Sequence, residues 1–554
     1  VGAESIVPGV HTAIAACHCS ALQKGQRYGG DDWMQEQRPT SGVTRREAIR
    51  LGVAAGAVAG FGNLLEPALA ANRGWPRGHL TARDALNVDP REFMPLGELR
   101  AWQARLNELG LRATGSRGHA RYADKLAARL ERAGVSQVRT ESVALRRWQP
   151  GEPALTILEG ADAGPVTVAN YIPYSGSTAA GGTTAPLAAD PGGTPAPGSL
   201  AGRIVLFDVA GAPLTNAFFD ALDYGQPHHP AGYDPHAPYL RPWAAASGVV
   251  SRLEALRNAG AVGAIGVLNA PLEAALGTYM PYDGKLRDIP ALFLDSAAGA
   301  RLRGVAQAGR SVRLTLAAEV TSITTPNIVG VIPGASEELV ILQSHHDGTN
   351  GVEDNGQEAI VAMSQYLARL PKGALPRTVL VLLSTGHFAG DALGTETFIA
   401  RHRDDLIART KASVTIEHLG AGEWLPNAAG VYEATGRYEL GPFFSSPHSA
   451  VVDLARAALL AAEVTEDRVV RPFSPDPRAP NGKRWPGDGE GFWAMAGLPS
   501  LNFITGPTYL LGAGFDTSKL VDVAALRRQA IAFTDLVLRL TREPAARLGA
   551  PDLS

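Results

Sequence analysis

The chain has 554 residues, 45% of them hydrophobic and 19% charged, with a formal net charge of −3. That length exceeds a single hydrophobic core and implies two or three domains. The near-neutral balance gives no electrostatic reason for a nucleic-acid or anionic-membrane partner, and 62 Gly with 39 Pro point to long loops.

Residues 1–71 read as a leader. Thr44-Arg45-Arg46-Glu47-Ala48-Ile49-Arg50 resembles a twin-arginine export signal, an uncharged apolar stretch runs from Leu51 to Leu65, and Ala68-Leu69-Ala70 offers a small-residue cleavage site. The apolar run is short for a membrane span. The mature protein is therefore expected to be exported, without an integral span, and to end in the periplasm, at the cell wall or outside the cell. Met34 is a natural start, which would make residues 1–33 an upstream extension. Both cysteines, Cys17 and Cys19, lie there, so the mature chain would be held by core packing and metal rather than disulfides.

Residues 71–90 read as a polar linker. From Phe93 to about Val135, LGELRAWQARLNELG and RGHARYADKLAARLERAG carry apolar residues at helical spacing, stopped by Gly110 and Gly134. VRTESVALRRW then alternates like a strand. The character changes over 151–322. Tyr174 to Pro197 is a loop rich in Gly, Ala, Pro and Thr. GRIVLFDV, IPALFLD and VRLTLAAEV read as strands, and LEALRNAGAVGAIGVLNA as a helix running into a strand. Few long helices suggest a β-rich module. Its segment PHHPAGYDPHAPYLRPW, with His228, His229 and His236, reads as a surface loop in preference to a lid. From Pro326 strands and helices alternate, ending in a helix from Asp522 to Arg542, which implies a sheet covered on both faces.

Polar groups collect at three strand ends of this last region. VILQS runs into His345-His346-Asp347, with Glu353-Asp354-Asn355 just beyond; LVLLST runs into Gly386-His387; SVTI runs into Glu417-His418. A buried charge without a partner is unfavourable. Imidazole and carboxylate groups converging on one sheet edge, where ligands bind in open α/β folds, are the types that hold zinc or a similar divalent ion.

The motifs resemble those of the co-catalytic zinc aminopeptidases, whose usual order is H-x-D, D-D-N, E-E after a strand, N-x-D-x-x-G and a late His. The chain shows Ser344-His345-His346-Asp347, Glu353-Asp354-Asn355, Ser384-Thr385-Gly386-His387-Phe388 and Thr415-Ile416-Glu417-His418-Leu419-Gly420. The resemblance implies an α/β fold: a three-layer α/β/α mixed-sheet zinc peptidase domain, discontinuous over 91–150 and 323–545. Residues 151–322 resemble an inserted β-rich protease-associated domain. It further implies one or two zinc ions, with His345 as the first ligand, Asp347 as the carboxylate orienting it, Asp354 as a bridging carboxylate and Glu417 in place of an Asp ligand.

The departures fall on the metal site. His387-Phe388 stands for the Glu pair. Counted from the strand, His387 replaces the general base and Phe388 a ligand; counted back from Leu393-Gly394-Thr395, the frame shifts by one. Gly512 stands where the late His belongs, shortly before Asp516-Thr517, and a motif usually S-D-H reads Gly487-Asp488-Gly489. Two outcomes stay open. The favoured one is a rebuilt centre of His345, Asp354, His387 and Glu417, in which His346, His418, Glu423 or Asp488 could substitute. The other is a pseudoenzyme without metal.

Blander roles compete at several positions. His346 can point to solvent or cap the next turn. His418 should face away from Glu417 by strand alternation and so act in support. Glu353 can be a supporting acceptor, a helix N-terminal charge or the general base. Glu423 is a loop residue near enough to Glu417 to act as base, Asp516 a supporting group, and His402 a structural residue on an exposed helix. The function expected is an exported metallopeptidase: a metal-activated water attacks an amide carbonyl while His387 or a carboxylate takes its proton. The substrate is a peptide or small amide, cut near its N-terminus. The alternatives are an inactive binding protein on the same fold and a non-peptidase amide reaction such as glutaminyl cyclisation.

Overall fold

The computed structural model describes residues 80–553 except 212–213, 226–228, 230–232, 391 and 474–483. The leader, the export motif and both cysteines lie outside the described residues. Among those described, no helix is long and apolar enough to cross a membrane.

A mixed eight-stranded sheet carries the C-terminal region. Its spatial order is Ser136–Pro150, Ala318–Ile332, Arg377–Ser384, Ser336–His345, Thr410–Ile416, Ser500–Phe503, Gly441–Ser445, Asp467–Val470. The strand Ser336–His345 runs parallel to both its neighbours. From Leu339 onward it is buried without alternation, as a strand covered on both faces must be. On one face Leu339, Ile341, Leu380 and Leu382 pack against Phe398, Ile399 and Phe492 of the helices Leu393–Arg401 and Glu490–Ala494. The helices Gly356–Leu367 and Val523–Arg542 form the other layer. This is the three-layer mixed fold that the sequence implies.

The two N-terminal helices, Leu96–Leu109 and Arg117–Arg132, form as their periodicity predicts. Ser116 caps the second by accepting from the His119 backbone N–H, and Tyr122, Leu126 and Leu130 form its buried stripe.

A second eight-stranded sheet lies between residues 154 and 315. Its strands Thr183–Ala189, Ile204–Asp208, Gly263–Val267 and Ala291–Leu294 are mutually parallel. Helices Ala246–Asn258 and Ser296–Gln307 accompany them, so the region is more helical than the β-rich module expected. The chain leaves the first sheet at Pro150 and returns at Ala318, and these two residues pair directly. VRLTLAAEV is thus two strands: Ser311–Thr315 belongs to the second sheet, and Ala318–Ile332 to the first. The inserted segment closes at residue 317, not 322, because the returning strand pairs with the departing one along its whole length.

Candidate metal centre

The strand ends meet as the sequence implies, and His345 lies at their centre. Its Nδ1–H donates to the Asp347 backbone carbonyl at 2.9 Å. A carbonyl only accepts, so the bond fixes the tautomer and leaves the Nε2 lone pair free. Nε2 is buried and has no hydrogen-bond partner. The orienting group is therefore the main chain of Asp347, not its carboxylate. The carboxylate instead accepts from Thr114 Oγ1 and from the backbone N–H groups of Gly386 and Phe388, both at 3.2 Å. Burial alone would raise its pKa, but the surrounding imidazoles of His119, His345 and His346 bring it down to about 2. Asp347 thus pins the turn after the strand Arg377–Ser384.

His418 repeats the arrangement of His345. Its Nδ1–H donates to the Thr505 carbonyl at 2.6 Å, and its buried Nε2 has no partner. Burial, then the neighbouring His345, hold its pKa well below the ordinary imidazole value, which keeps that lone pair available. The expectation that His418 faces away from the site fails for a local reason. The strand ends at Ile416, and His418 adopts φ +58°, outside the strand geometry on which alternation depends. Asn355 stabilises this turn by exchanging two hydrogen bonds with the Leu419 backbone, at 2.7 and 2.8 Å.

Glu353 completes the group. One ligand atom each from His345, Glu353 and His418 lie within 4.8 Å of one another. Neither Glu353 oxygen accepts a regular hydrogen bond, and burial raises its pKa. Glu417 stands beside them. Its Oε1 accepts from the Asp488 N–H at 2.9 Å and from Asn502 Nδ2 at 3.1 Å, while Oε2 is unpartnered and 3.8 Å from His345 Nε2. Burial pushes its pKa up to about 7, against the opposing pull of His345. Buried polar atoms without partners are rare and unfavourable. Two imidazole nitrogens and the Glu353 carboxylate within 4.8 Å of one another, with the free Glu417 oxygen 3.8 Å from His345 Nε2, make a nitrogen/oxygen donor set that fits zinc.

Two residues assigned to the metal from sequence are otherwise engaged. Both Asp354 oxygens accept from Arg112, Oδ2 from Nε at 2.9 Å and Oδ1 from Nη2, in a bidentate pair with both side chains about 1% exposed or less. A carboxylate so neutralised is no bridging ligand; Glu353, one residue earlier, faces the site. His387 has Nδ1 2.7 Å from Asp488 Oδ1 and Nε2 3.1 Å from Glu353 Oε1, and its ring stacks on His345 at 4.1 Å. Burial would lower its pKa, but Asp488 and Glu353 together raise it well above the ordinary value. Held protonated between the two carboxylates, with Nδ1 bonded to Asp488 and Nε2 in ion-pair contact with Glu353, it has no lone pair for a metal or for a water's proton. Phe388 is buried among aromatic rings.

The supporting candidates divide. Asp488 holds His387 and accepts from Ser384 Oγ at 3.0 Å. His346 is neither solvent-exposed nor a cap: its ring lies 2.9 Å from His119 Nε2 and 3.0 Å from the Pro326 carbonyl. Glu423 pairs with Arg241 and Arg437, away from the centre. Asp516 is exposed and bonds Asn107 and the Ser518 N–H. His402 is structural, between Glu141 and Asp405. Arg112, Thr114, His119 and Asn502 were missed. Nothing in their local sequence marks them, because their partners lie more than 80 residues away in the chain.

No family model matches the chain, and no curated protein matches it. Solved structures do. A Peptidase M28 precursor from Shewanella amazonensis SB2B superposes with TM-score 0.59 at 17% identity, covering 83% of this chain and 95% of that one. A zinc aminopeptidase from Bacillus subtilis gives 0.54 at 15%, covering 80% and 94%. An aminopeptidase from Aneurinibacillus sp. strain AM-1 gives 0.51 at 16%, covering 80% and 94%. At such identities the likeness carries architecture alone, and on that ground the chain has the fold of the M28-type zinc aminopeptidases.

Proposed function

We propose that the protein is a metal-dependent peptidase that holds one zinc or similar divalent ion on His345, Glu353 and His418. The observation that carries this reading is the set of buried, unpartnered donor atoms on those residues and on Glu417. The single-ion count follows from His387. Paired with Glu353 and Asp488, it supplies a fixed donor where another carboxylate ligand would be needed for a second ion. An ion in this site supplies Lewis acidity and lowers the pKa of water. Glu417, with one oxygen held and the other free, takes the proton from the attacking water. His387 orients Glu353, and Asp488 orients His387. The substrate is a peptide cut near its N-terminus, in line with the aminopeptidases that share the fold. The leader motif at Thr44–Arg50 supports export by the twin-arginine route, and the second sheet is read as a protease-associated insert.

Metal analysis and hydrolysis of aminoacyl chromogenic substrates test this together. About one ion per chain is expected after zinc or cobalt reconstitution, with His345→Ala and His418→Ala each losing it. Glu417→Gln should retain the ion and lose about 10²–10⁴ in rate. Less than about 0.1 ion per wild-type chain would overturn the metal reading, and loss of the ion in Glu417→Gln would make Glu417 a ligand instead of the base.

A further inference from the structure

A cleft of about 550 Å³ opens where the chain passes from the first-sheet domain into the inserted segment. That volume suits a small-molecule or short-peptide ligand, whose sites run about 300–1,000 Å³. The cleft is separate from the candidate metal centre, and none of His345, Glu353, Glu417 and His418 lines it. Two buried rings part them. Tyr279 lines the cleft and packs edge-on against Phe388 at 5.2 Å, and Phe388 lies 5.0 Å from the His387 ring.

One wall is a fixed aromatic ladder. Tyr171 stands edge-on to Trp148 at 5.3 Å and to Tyr279 at 6.0 Å. Trp148 donates its Nε1–H to the Ser175 carbonyl at 3.1 Å, and the Tyr279 backbone N–H donates to the Leu511 carbonyl at 2.8 Å. Leu276, 54% exposed, adds an apolar rim. Fixed rings receive apolar groups with little loss of rotamer freedom. The polar groups of the cleft, by contrast, lack partners. Among the described residues, Arg147 and Glu152 make no ion pair and the Tyr171 hydroxyl makes no hydrogen bond. Burial raises the Tyr171 pKa to about 12, so that hydroxyl stays a neutral donor. Asn170 donates Nδ2–H to the Thr278 carbonyl at 3.1 Å, which leaves its amide oxygen as an acceptor. A cation, an anion and an aromatic wall in one cleft match a ligand that carries both charges and an apolar body.

We propose that this cleft is a binding site, distinct from the metal centre, for a zwitterionic amino acid or short peptide with a large apolar side chain. Arg147 takes the carboxylate, Glu152 the ammonium, and Trp148 and Tyr171 the side chain. The site goes beyond the peptidase reading and does not depend on it. A free amino acid and the carboxyl end of a longer peptide share this chemistry.

Calorimetry on the metal-loaded full chain tests the site without turnover. The probes are L-phenylalanine, phenylalaninamide without the carboxylate, 3-phenylpropionate without the ammonium, and glycine without the side chain. L-Phenylalanine should bind, and each of the others should bind at least about tenfold more weakly. Arg147→Gln and Glu152→Gln, with unaltered thermal midpoints, should each weaken L-phenylalanine at least about tenfold, and Arg147→Lys should regain part of the loss. His345→Ala and chelator-stripped wild type should both keep the wild-type affinity within about twofold. In His345→Ala, tighter binding of Gly-Gly-Phe than of L-phenylalanine would assign the site to the end of a longer chain, and equal or weaker binding to the free amino acid. A chain that holds no metal and hydrolyses nothing, yet binds L-phenylalanine through Arg147, would sustain the cleft while the peptidase reading falls. Binding lost in His345→Ala but unchanged in both cleft variants, or no binding of L-phenylalanine at about 10 mM, would overturn the proposal.

Discussion

At the scale of single residues, the site depends on which imidazole nitrogens are left free. His345 and His418 each spend Nδ1 on a backbone carbonyl and keep Nε2. His119 and His346 do the opposite and consume every nitrogen. The Gly115 N–H donates to His119 Nδ1 at 3.0 Å, His119 Nε2–H donates to His346 Nδ1 at 2.9 Å, and His346 Nε2–H donates to the Pro326 carbonyl at 3.0 Å. Only neutral rings complete that chain of bonds. Burial, then the neighbouring His346, hold His119 at a pKa of about 3, against an ordinary 6.5. The unfolded chain therefore binds a proton below pH 6.5 that the folded chain refuses until about pH 3. The folded state is favoured above pH 6.5 and loses stability as pH falls from there toward 3. In His119→Gln the acid limb of urea-unfolding free energy should be shallower, by up to about 1.4 kcal/mol per pH unit. A slope equal to the wild type's would show that His119 is not the group responsible.

At the scale of elements, a turn and a helix start put the donors in place. The helix Gly356–Leu367 begins against the strand ends, and a Cβ on Gly356 would run into the Ile416 carbonyl and lie 2.5 Å from Ser344 Oγ. Only glycine lets the helix come that close, and the close approach sets Glu353 opposite His418. Gly356→Ala should thus destabilise the protein by about 1–3 kcal/mol, although alanine is the better helix former, and zinc titration should show weaker binding. A variant as stable as wild type would mean the helix can shift without loss. The elements were legible where their pattern is strong. The strand ending at His345 and the helix Arg117–Arg132 follow from apolar runs and helical spacing. The hairpin Gly422–Pro426 with Tyr432–Tyr438, and the strands Gly441–Ser445 and Asp467–Val470, were not read. Each is seven residues or fewer and takes its identity from a neighbour across the sheet. The site divides the same way. His345 and Glu417 were visible at strand ends. The roles of Asp354, His387 and His418 depended on Arg112, Asp488 and one left-handed backbone angle, which no local pattern reveals.

At the scale of the whole molecule, the two sheets are tied together at both ends of the inserted segment and in its middle. The strands Ser136–Pro150 and Ala318–Ile332 form one long antiparallel ribbon that carries the chain out and back. Midway, Phe219, Tyr239 and Trp243 pack with Phe444 and Val470 of the first sheet's last two strands in a shared cluster. Neither domain can lose its structure without exposing apolar surface of the other, which couples their unfolding. The proposed metal donors His345, Glu353 and His418 all belong to the first domain, so an ion bound there would stabilise both. At a free zinc concentration 100 times the dissociation constant, linkage adds about 2.7 kcal/mol to the folded state. Calorimetry should show one main transition that moves upward as a unit on zinc addition, and no shift in His418→Ala. Two resolved transitions, with only one responding to zinc, would show that the inserted domain unfolds on its own and that the aromatic seam is too weak to couple it to the centre.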